Sequence, residues 1–300
     1  MERAETSFLG RSGNRYGTKT GKRRQAATRQ KKFSLKKFVK SPKGIVFFIL
    51  AGFVCIGSTA LTGSNGFFNV LLAVLTGVIF DVAVSLFMER PVRFSDGALI
   101  TGMIVGGVLS PAVPWYLVMF TTVVALLSKH MLKIKRKPLF NPAAVGLFIG
   151  ATLFAAGESW WIGLSMNPAW MTVFLLAGGW LIADRINKMP LVFAFLGTYM
   201  LIFLLMGLIG VSGAGEGLRA PYISAALFLA FFMLTDPPTS AARYRDQIYS
   251  GILAALVCGA AYLYLNRLTY LLVGLLVANG WNAIAATYHR RARAREAAAR

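Results

Sequence analysis

The sequence predicts an all-α polytopic membrane protein with about ten transmembrane helices in two inverted five-helix repeats. Three observations predict it. Hydrophobic residues make up 56% of the 300-residue chain and charged residues 14%, with a mean hydropathy of +0.61. A soluble domain carries about 25% charged residues. The apolar residues gather in ten runs, and the basic residues gather between them in alternate loops.

The chain opens on a basic tail, residues 1–44, with fourteen Lys or Arg against two Glu up to Lys43. Few aliphatics and many Lys, Arg, Gly, Ser and Gln predict disorder over residues 1–36. More than forty polar residues precede the first apolar run, so no cleavable signal is expected. The membrane domain is expected over 45–286, followed by a second basic tail, 287–300, where five Arg face one Glu. A net charge of +21 invites a nucleic-acid reading. Its confinement to tails and loops argues instead for anionic lipid headgroups, and no nucleic-acid partner is expected.

A crossing helix needs ~20 apolar residues, fewer inside a bundle. The runs that qualify are 45–62, 68–88, 96–110, 114–131, 141–157, 168–184, 190–210, 221–235, 247–265 and 268–286, the third and eighth being short. With the N-terminus in the cytoplasm, the inner loops hold Arg90 and Arg93; Lys129, Lys133, Lys135, Arg136 and Lys137; Arg185 and Lys188; and Arg243 and Arg245. The outer loops hold only Arg219 and Arg267, opposed by Glu158 and Glu216. This satisfies the positive-inside rule and puts both termini in the cytoplasm. Five spans per half leave the second half inverted. Val145-Gly146-Leu147 is echoed by Val273-Gly274-Leu275, and Pro111 by Pro237. Paired short segments in inverted halves point to a midplane site.

Phe94 to Pro114 is the most unusual run. Ser95 and Asp96 offer acceptors to a helix start, and Pro111 and Pro114 end it. Ala98, Gly102 and Gly106 fall four apart and leave one face nearly bare, open to a neighbouring helix or to a flat ligand. Asn141-Pro142 reads as a cap with proline at the first helical position. The helix start it marks also suits a phosphate or carboxylate. Thr235-Asp236-Pro237-Pro238 is a rigid turn with hydroxyls at Thr239 and Ser240 and cations at Arg243 and Arg245. It reads either as a grip on a polar ligand or as a helix terminator.

Asp81 is the acid well inside an apolar run. It belongs either to an ion path or a pair with a cation, or, near the inner end of the second helix, to a bond with a hydroxyl. His130 and His289 read as solvated. Trp115, Tyr116, Trp160, Trp161 and Tyr222 read as interface anchors. Cys55 and Cys258 lie in apolar runs without metal-ligand spacing and read as buried small hydrophobes. No catalytic triad, His-Cys cluster or phosphate loop is present, so neither a catalytic residue nor a metal site is expected.

Together, Asp96-Gly97-Ala98-Leu99-Ile100-Thr101-Gly102, Pro111, Pro114-Trp115, Phe140-Asn141-Pro142-Ala143, Gly146, Leu234-Thr235-Asp236-Pro237 and Gly251 resemble the RnfD component of the Rnf complex. The related NqrB component of the sodium-pumping NADH:quinone oxidoreductase is similar. The resemblance covers residues 45–286. It implies a ten-helix inverted-repeat fold, similar to urea channels, and a non-catalytic place in a cell-membrane complex that couples flavin-mediated electron transfer to Na⁺ or H⁺ movement. Its partners would be the bilayer and other redox subunits. It implies a cofactor site at Asp96, Gly97, Thr101, Gly102, Asn141, Pro142, Thr235 and Asp236.

One departure matters. The family carries a Ser-Gly-Ala-Thr-type motif whose threonine bonds covalently to FMN in a loop after the fifth helix. Here that loop reads Gly157-Glu-Ser-Trp-Trp-Ile-Gly-Leu-Ser-Met-Asn-Pro168, and Gly150-Ala151-Thr152 falls inside the predicted helix. Before the eighth helix the chain reads Ile223-Ser224-Ala225-Ala226. Covalent FMN is therefore not expected, and any FMN or riboflavin would be held non-covalently. The competing expectations are a small-solute or ion transporter or channel on the same fold, and a membrane scaffold for redox partners.

Overall fold

The computed structural model describes residues 38–60, 65–89, 91, 95–134, 137–265 and 267–298. The predicted tail through Lys37, and Arg90, Arg93, Lys135 and Arg136 of the predicted inner loops, lie outside them. Ten α-helices are found among the described residues. The first five are α1 (Pro42–Ala60), α2 (Asn65–Phe87), α3 (Asp96–Val108), α4 (Trp115–Met131) and α5 (Pro142–Phe154). The second five are α6 (Thr172–Arg185), α7 (Met189–Leu208), α8 (Tyr222–Phe228), α9 (Tyr244–Tyr262) and α10 (Thr269–Ala298). A hairpin of two-residue strands, β1 (Lys133–Ile134) and β2 (Lys137–Pro138), joins α4 to α5.

Local chemistry sets the helix ends. Ser41 caps α1 by accepting from the Gly44 amide at 3.1 Å. Asn141 caps α5 by accepting from the Ala144 amide at 3.3 Å, with Pro142 at the first helical position. α8 runs into a π-helical turn, Leu229–Met233, and stops before Asp236-Pro237, because proline offers no amide to continue it.

Helices α2, α7 and α10 are long and apolar enough to cross a membrane. Large apolar side chains on them face outward, Phe87 at 92% and Leu208 at 74% exposure. Water would not tolerate so much bare apolar surface, and a bilayer provides the matching solvent. The protein is a helical membrane protein. α3 differs from these long, outward-facing helices. It is 13 residues long and buried from Thr101 to Val108. A Cβ on Gly102 would lie 2.8 Å from the Val74 Cα, and one on Gly106 2.6 Å from the Val70 Cα. The bare face is therefore filled by α2, and helix packing, not a flat ligand, accounts for the glycine spacing.

Side-chain contacts sort the loops into two sets. One set, the basic end, joins the starts of α1, α3 and α5 to the segments 187–188 and 236–246 and to the outer part of α10. The other joins the segments 109–114, 157–165 and 211–219 to the start of α10.

Two expectations are corrected here. The segment after α5 does not lie on a membrane surface. It turns inward, pairing Leu109 with Glu158, and Trp160 and Trp161 are fully buried. The Trp161 indole donates to the Gly106 carbonyl at 3.3 Å. These two tryptophans are core residues, whereas Trp115 and Tyr116, at 60% and 55% exposure, suit an interface. The last helix does not end near residue 286. It continues to Ala298, since Ala and Arg are strong helix formers and the end of this run is rich in both.

Candidate functional site

The start of α3 and the turn after α8 both lie at the basic end. Asp96, in the first turn of α3, pairs with Lys43 at 3.0 Å and accepts from the Gly97 amide at 2.8 Å. Asp236, just past α8, accepts from the Thr239 hydroxyl at 3.3 Å and feels the same Lys43 charge. Burial pushes the Asp236 carboxyl up to about 6, against the pull of Thr239 and of Lys43. Lys43 thus pairs with Asp96 and also pulls electrostatically on Asp236.

Asn141 closes the junction. Its side-chain amide donates to the Met233 carbonyl at 3.1 Å, at the end of α8, while its backbone amide donates to Asn279 Oδ1 on α10 at 2.8 Å. Thr235 turns its hydroxyl back to the Phe231 carbonyl at 2.6 Å. Of the eight residues expected to hold a cofactor, Asp96 pairs with Lys43, Asn141 bonds Met233 and Asn279, Thr235 bonds Phe231 and Asp236 bonds Thr239. Gly97 faces Lys129, and Thr101 is buried within α3. Gly102 is a correction: the α2 backbone occupies its open side, so it serves packing and offers no face to a ligand.

Asp81 sits two turns from the end of α2 and accepts from the Ser95 hydroxyl. His130 Nε2 lies 3.1 Å and Lys129 Nζ 3.5 Å from its other oxygen. Asp81 is thus both bonded to a hydroxyl and paired with a cation. Together these contacts pin the start of α3 and the end of α4 to α2. His130 and His289 are not free in solvent. The first meets Asp81, and the second meets Asp246 at 3.3 Å and Arg243 at 3.0 Å.

Three features went unread in the sequence. Glu158 is held by the Trp160 indole at 3.0 Å and the Thr269 hydroxyl at 3.1 Å. Burial pushes its carboxyl up to about 7, opposed by those two donors and by Arg267. Asn279 and Asn282 are buried in α10, and Asn279 Nδ2 and Asn282 Oδ1 have no partner. Two asparagines three apart in an apolar run were the available signal. Lys188 is buried and donates to the Ala241 carbonyl, tying α7 to the turn after α8. Burial, and then the Lys137 charge, lower its pKa.

Thr152 tests covalent flavin attachment. It lies within α5, and its hydroxyl donates to the Phe148 carbonyl at 2.7 Å. Its side chain is exposed and its hydroxyl is bonded within its own helix. Asn279 Nδ2, beside the Asn141 cap, is a buried donor without a partner.

Comparison with known proteins shows the family. The RnfD-type component of an ion-translocating oxidoreductase complex from Yersinia enterocolitica is 28% identical over 130 residues, covering 41% of this chain and 37% of the relative. Its counterpart from Aeromonas salmonicida is 28% identical over 111 residues, covering 36% and 32%. The counterpart from Citrobacter koseri is 20% identical over 275 residues, covering 65% and 77%. The chain thus spans about a third of the first two relatives and about three-quarters of the third. The family described as NQR2, RnfD, RnfE matches residues 39–166 and 158–293, nearly all of the described chain, and the protein belongs to that family.

Proposed function

We propose that this protein is a membrane subunit of an Rnf/Nqr-like electron-transport complex that couples flavin-mediated electron transfer to transmembrane ion movement. The observation that carries the reading is the acidic pair at the ends of two short helices in a chain of this family: Asp96 pairs with Lys43, whose charge also pulls on the buried Asp236. Interrupted helices bury charge and free backbone groups only where neighbours or a ligand satisfy them.

The layout is ten crossings in two inverted halves in the cell membrane, with both termini cytoplasmic. The echoed triplets support it. A Cβ on Gly146 of α5 would lie 2.5 Å from the Thr121 carbonyl of α4, and one on Gly274 of α10 2.6 Å from the Ala254 carbonyl of α9. Each Val-Gly-Leu therefore seats the last helix of its half on the one before. Likewise α1 packs on α3 as α6 packs on α8, and α2 on α4 as α7 on α9.

A flavin, FMN or riboflavin, would be held non-covalently at the junction and would supply one- and two-electron chemistry. Asn279 and Asn141 would orient it, and Asp96, Asp236 and Lys43 would set the charge around it. The other redox subunits of the complex and the bilayer are its partners. The Thr152 hydroxyl bond favours one second reading, a transporter or channel on the same fold without redox work. Acid extraction of the purified protein separates them. Flavin in the supernatant at near one per chain supports the redox subunit, and flavin-free protein that passes solute in liposomes supports the transporter.

A further inference from the structure

The basic end contains a cavity of about 350 Å³ between the β-hairpin, the turn after α8, the start of α9 and the outer part of α10. Lys137, Arg243 and Arg290 line it, and Asp246 is the one carboxylate among its lining residues. The Asp246 charge is already engaged. Arg243 donates to His289 Nδ1 at 3.0 Å, so the ring proton sits on Nε2, which faces Asp246 at 3.3 Å. Among the described residues, no carboxylate lies within ion-pair reach of Lys137, Arg243 or Arg290. Arg290 instead turns to its own helix, at the Ala286 carbonyl and the Thr287 hydroxyl. Lys137 also acts against the buried Lys188 charge. Three cations thus face one carboxylate around a single hollow.

The remaining walls say more. Pro138, Leu139 and Ala283 make one side apolar. Asn279 and Asn282 also line the cavity, and each keeps one buried amide atom without a partner. Buried amide atoms are rarely left unmet in a finished structure. An apolar wall, an unmet donor and acceptor, and two surplus positive charges match an anionic head on a polar body.

We propose that this cavity binds a phosphate monoester, with Lys137, Arg243 and Arg290 as its cationic rim. A phosphate monoester carries a charge of about −1.5 to −2 near neutral pH and three strong acceptor oxygens. That matches a surplus of two cations better than a carboxylate does. The two guanidinium groups supply paired donors and Lys137 a point charge. The ester arrives either on a lipid of the phosphatidic acid type or on a soluble metabolite. The inference shares Asn279 with the flavin reading, but none of its probes carries a ring, so their failure to bind leaves that reading standing.

The test uses the full chain, delipidated in detergent, with glycerol 3-phosphate and inorganic phosphate as soluble probes. Nanodiscs of phosphatidylcholine with and without dioleoylphosphatidic acid supply the lipid probe. Binding is read by thermal shift and by native mass spectrometry. The wild type is expected to bind at least one of these probes. The double variant Lys137→Gln/Arg290→Gln is expected to lose about tenfold or more in affinity, since each removes a charge-assisted contact. Arg185→Gln, an exposed cation at the same end, is expected to bind as the wild type does. Ala286→Phe, exposed at the cavity, is expected to block the site without unfolding the chain. Retention of phosphatidic acid alone identifies a lipid ligand, and displacement by glycerol 3-phosphate identifies a soluble one. Binding by none of the probes overturns the proposal. So does equal binding by wild type and double variant, or equal loss in Arg185→Gln.

Discussion

Adding one carbon at Gly106 tests the packing of α3 directly. A Cβ there lies 2.6 Å from the Val70 Cα and 2.9 Å from both the Asn69 carbonyl oxygen and the Val70 amide nitrogen. Carbon atoms in ordinary contact sit ~3.5–4.0 Å apart. The neighbours are backbone, so no side chain can swing aside, and α2 and α3 must separate by about 1 Å. Overpacking of this kind costs ~1–3 kcal/mol, occasionally more. In an unhindered helix, Gly→Ala gains ~0.5–1 kcal/mol. Gly197, in α7, has nothing within 4 Å of its added Cβ and serves as the reference. Gly106→Ala and Gly197→Ala should therefore differ by roughly 2–3 kcal/mol, which is about 5 °C or more in Tm for a chain of this size. Val70→Ala should not rescue Gly106→Ala, because the clash is with the Val70 Cα. Size-exclusion profiles after heating, in detergent, give the Tm of each variant. A Gly106→Ala protein as stable as Gly197→Ala would refute the packing argument.

Further outcomes follow from other sites. Glu158 is raised from 4.5 to about 7 in the folded chain, so its contribution to stability is present below 4.5 and lost as pH rises through 7. The Tm of the wild type should fall relative to Glu158→Gln between about pH 5 and pH 8, and parallel curves would remove Glu158 from the account. Co-expression with a flavin transferase should leave no fluorescent band on a denaturing gel, and a band abolished by Thr152→Val would overturn the placement of that hydroxyl. With Cys55 replaced by Ala, Ser212→Cys should react with an impermeant thiol reagent added outside cells. Arg185→Cys should react only after permeabilisation, and the reverse pattern would invert the topology.

The apolar helices were legible because hydropathy is a local property and the chain pays nothing to reveal it. The Asn141-Pro142 cap and the proline stop after α8 were legible for the same reason: each is written in two or three adjacent residues. The bare face of α3 was legible as a close approach, though what approaches it was not, since Val70 and Val74 lie more than twenty-five residues away in sequence. Trp160 and Trp161 misled because tryptophan suits both a membrane interface and a core. Only the pairing of Leu109 with Glu158 decides between them. The histidines misled likewise, for His130 meets Asp81 from a different helix. The buried asparagines of α10 were visible as polar residues in an apolar run and were passed over because they form no motif.

The central claim is that this subunit carries flavin electrons. The protein should be purified with its partners in mild detergent, and its visible spectrum recorded before and after dithionite. A band near ~450 nm that bleaches on reduction, with the flavin released by acid from wild type and weakened by Asn279→Leu, is the predicted result. A colourless preparation, intact and monodisperse, that still moves a solute across liposomes would contradict it.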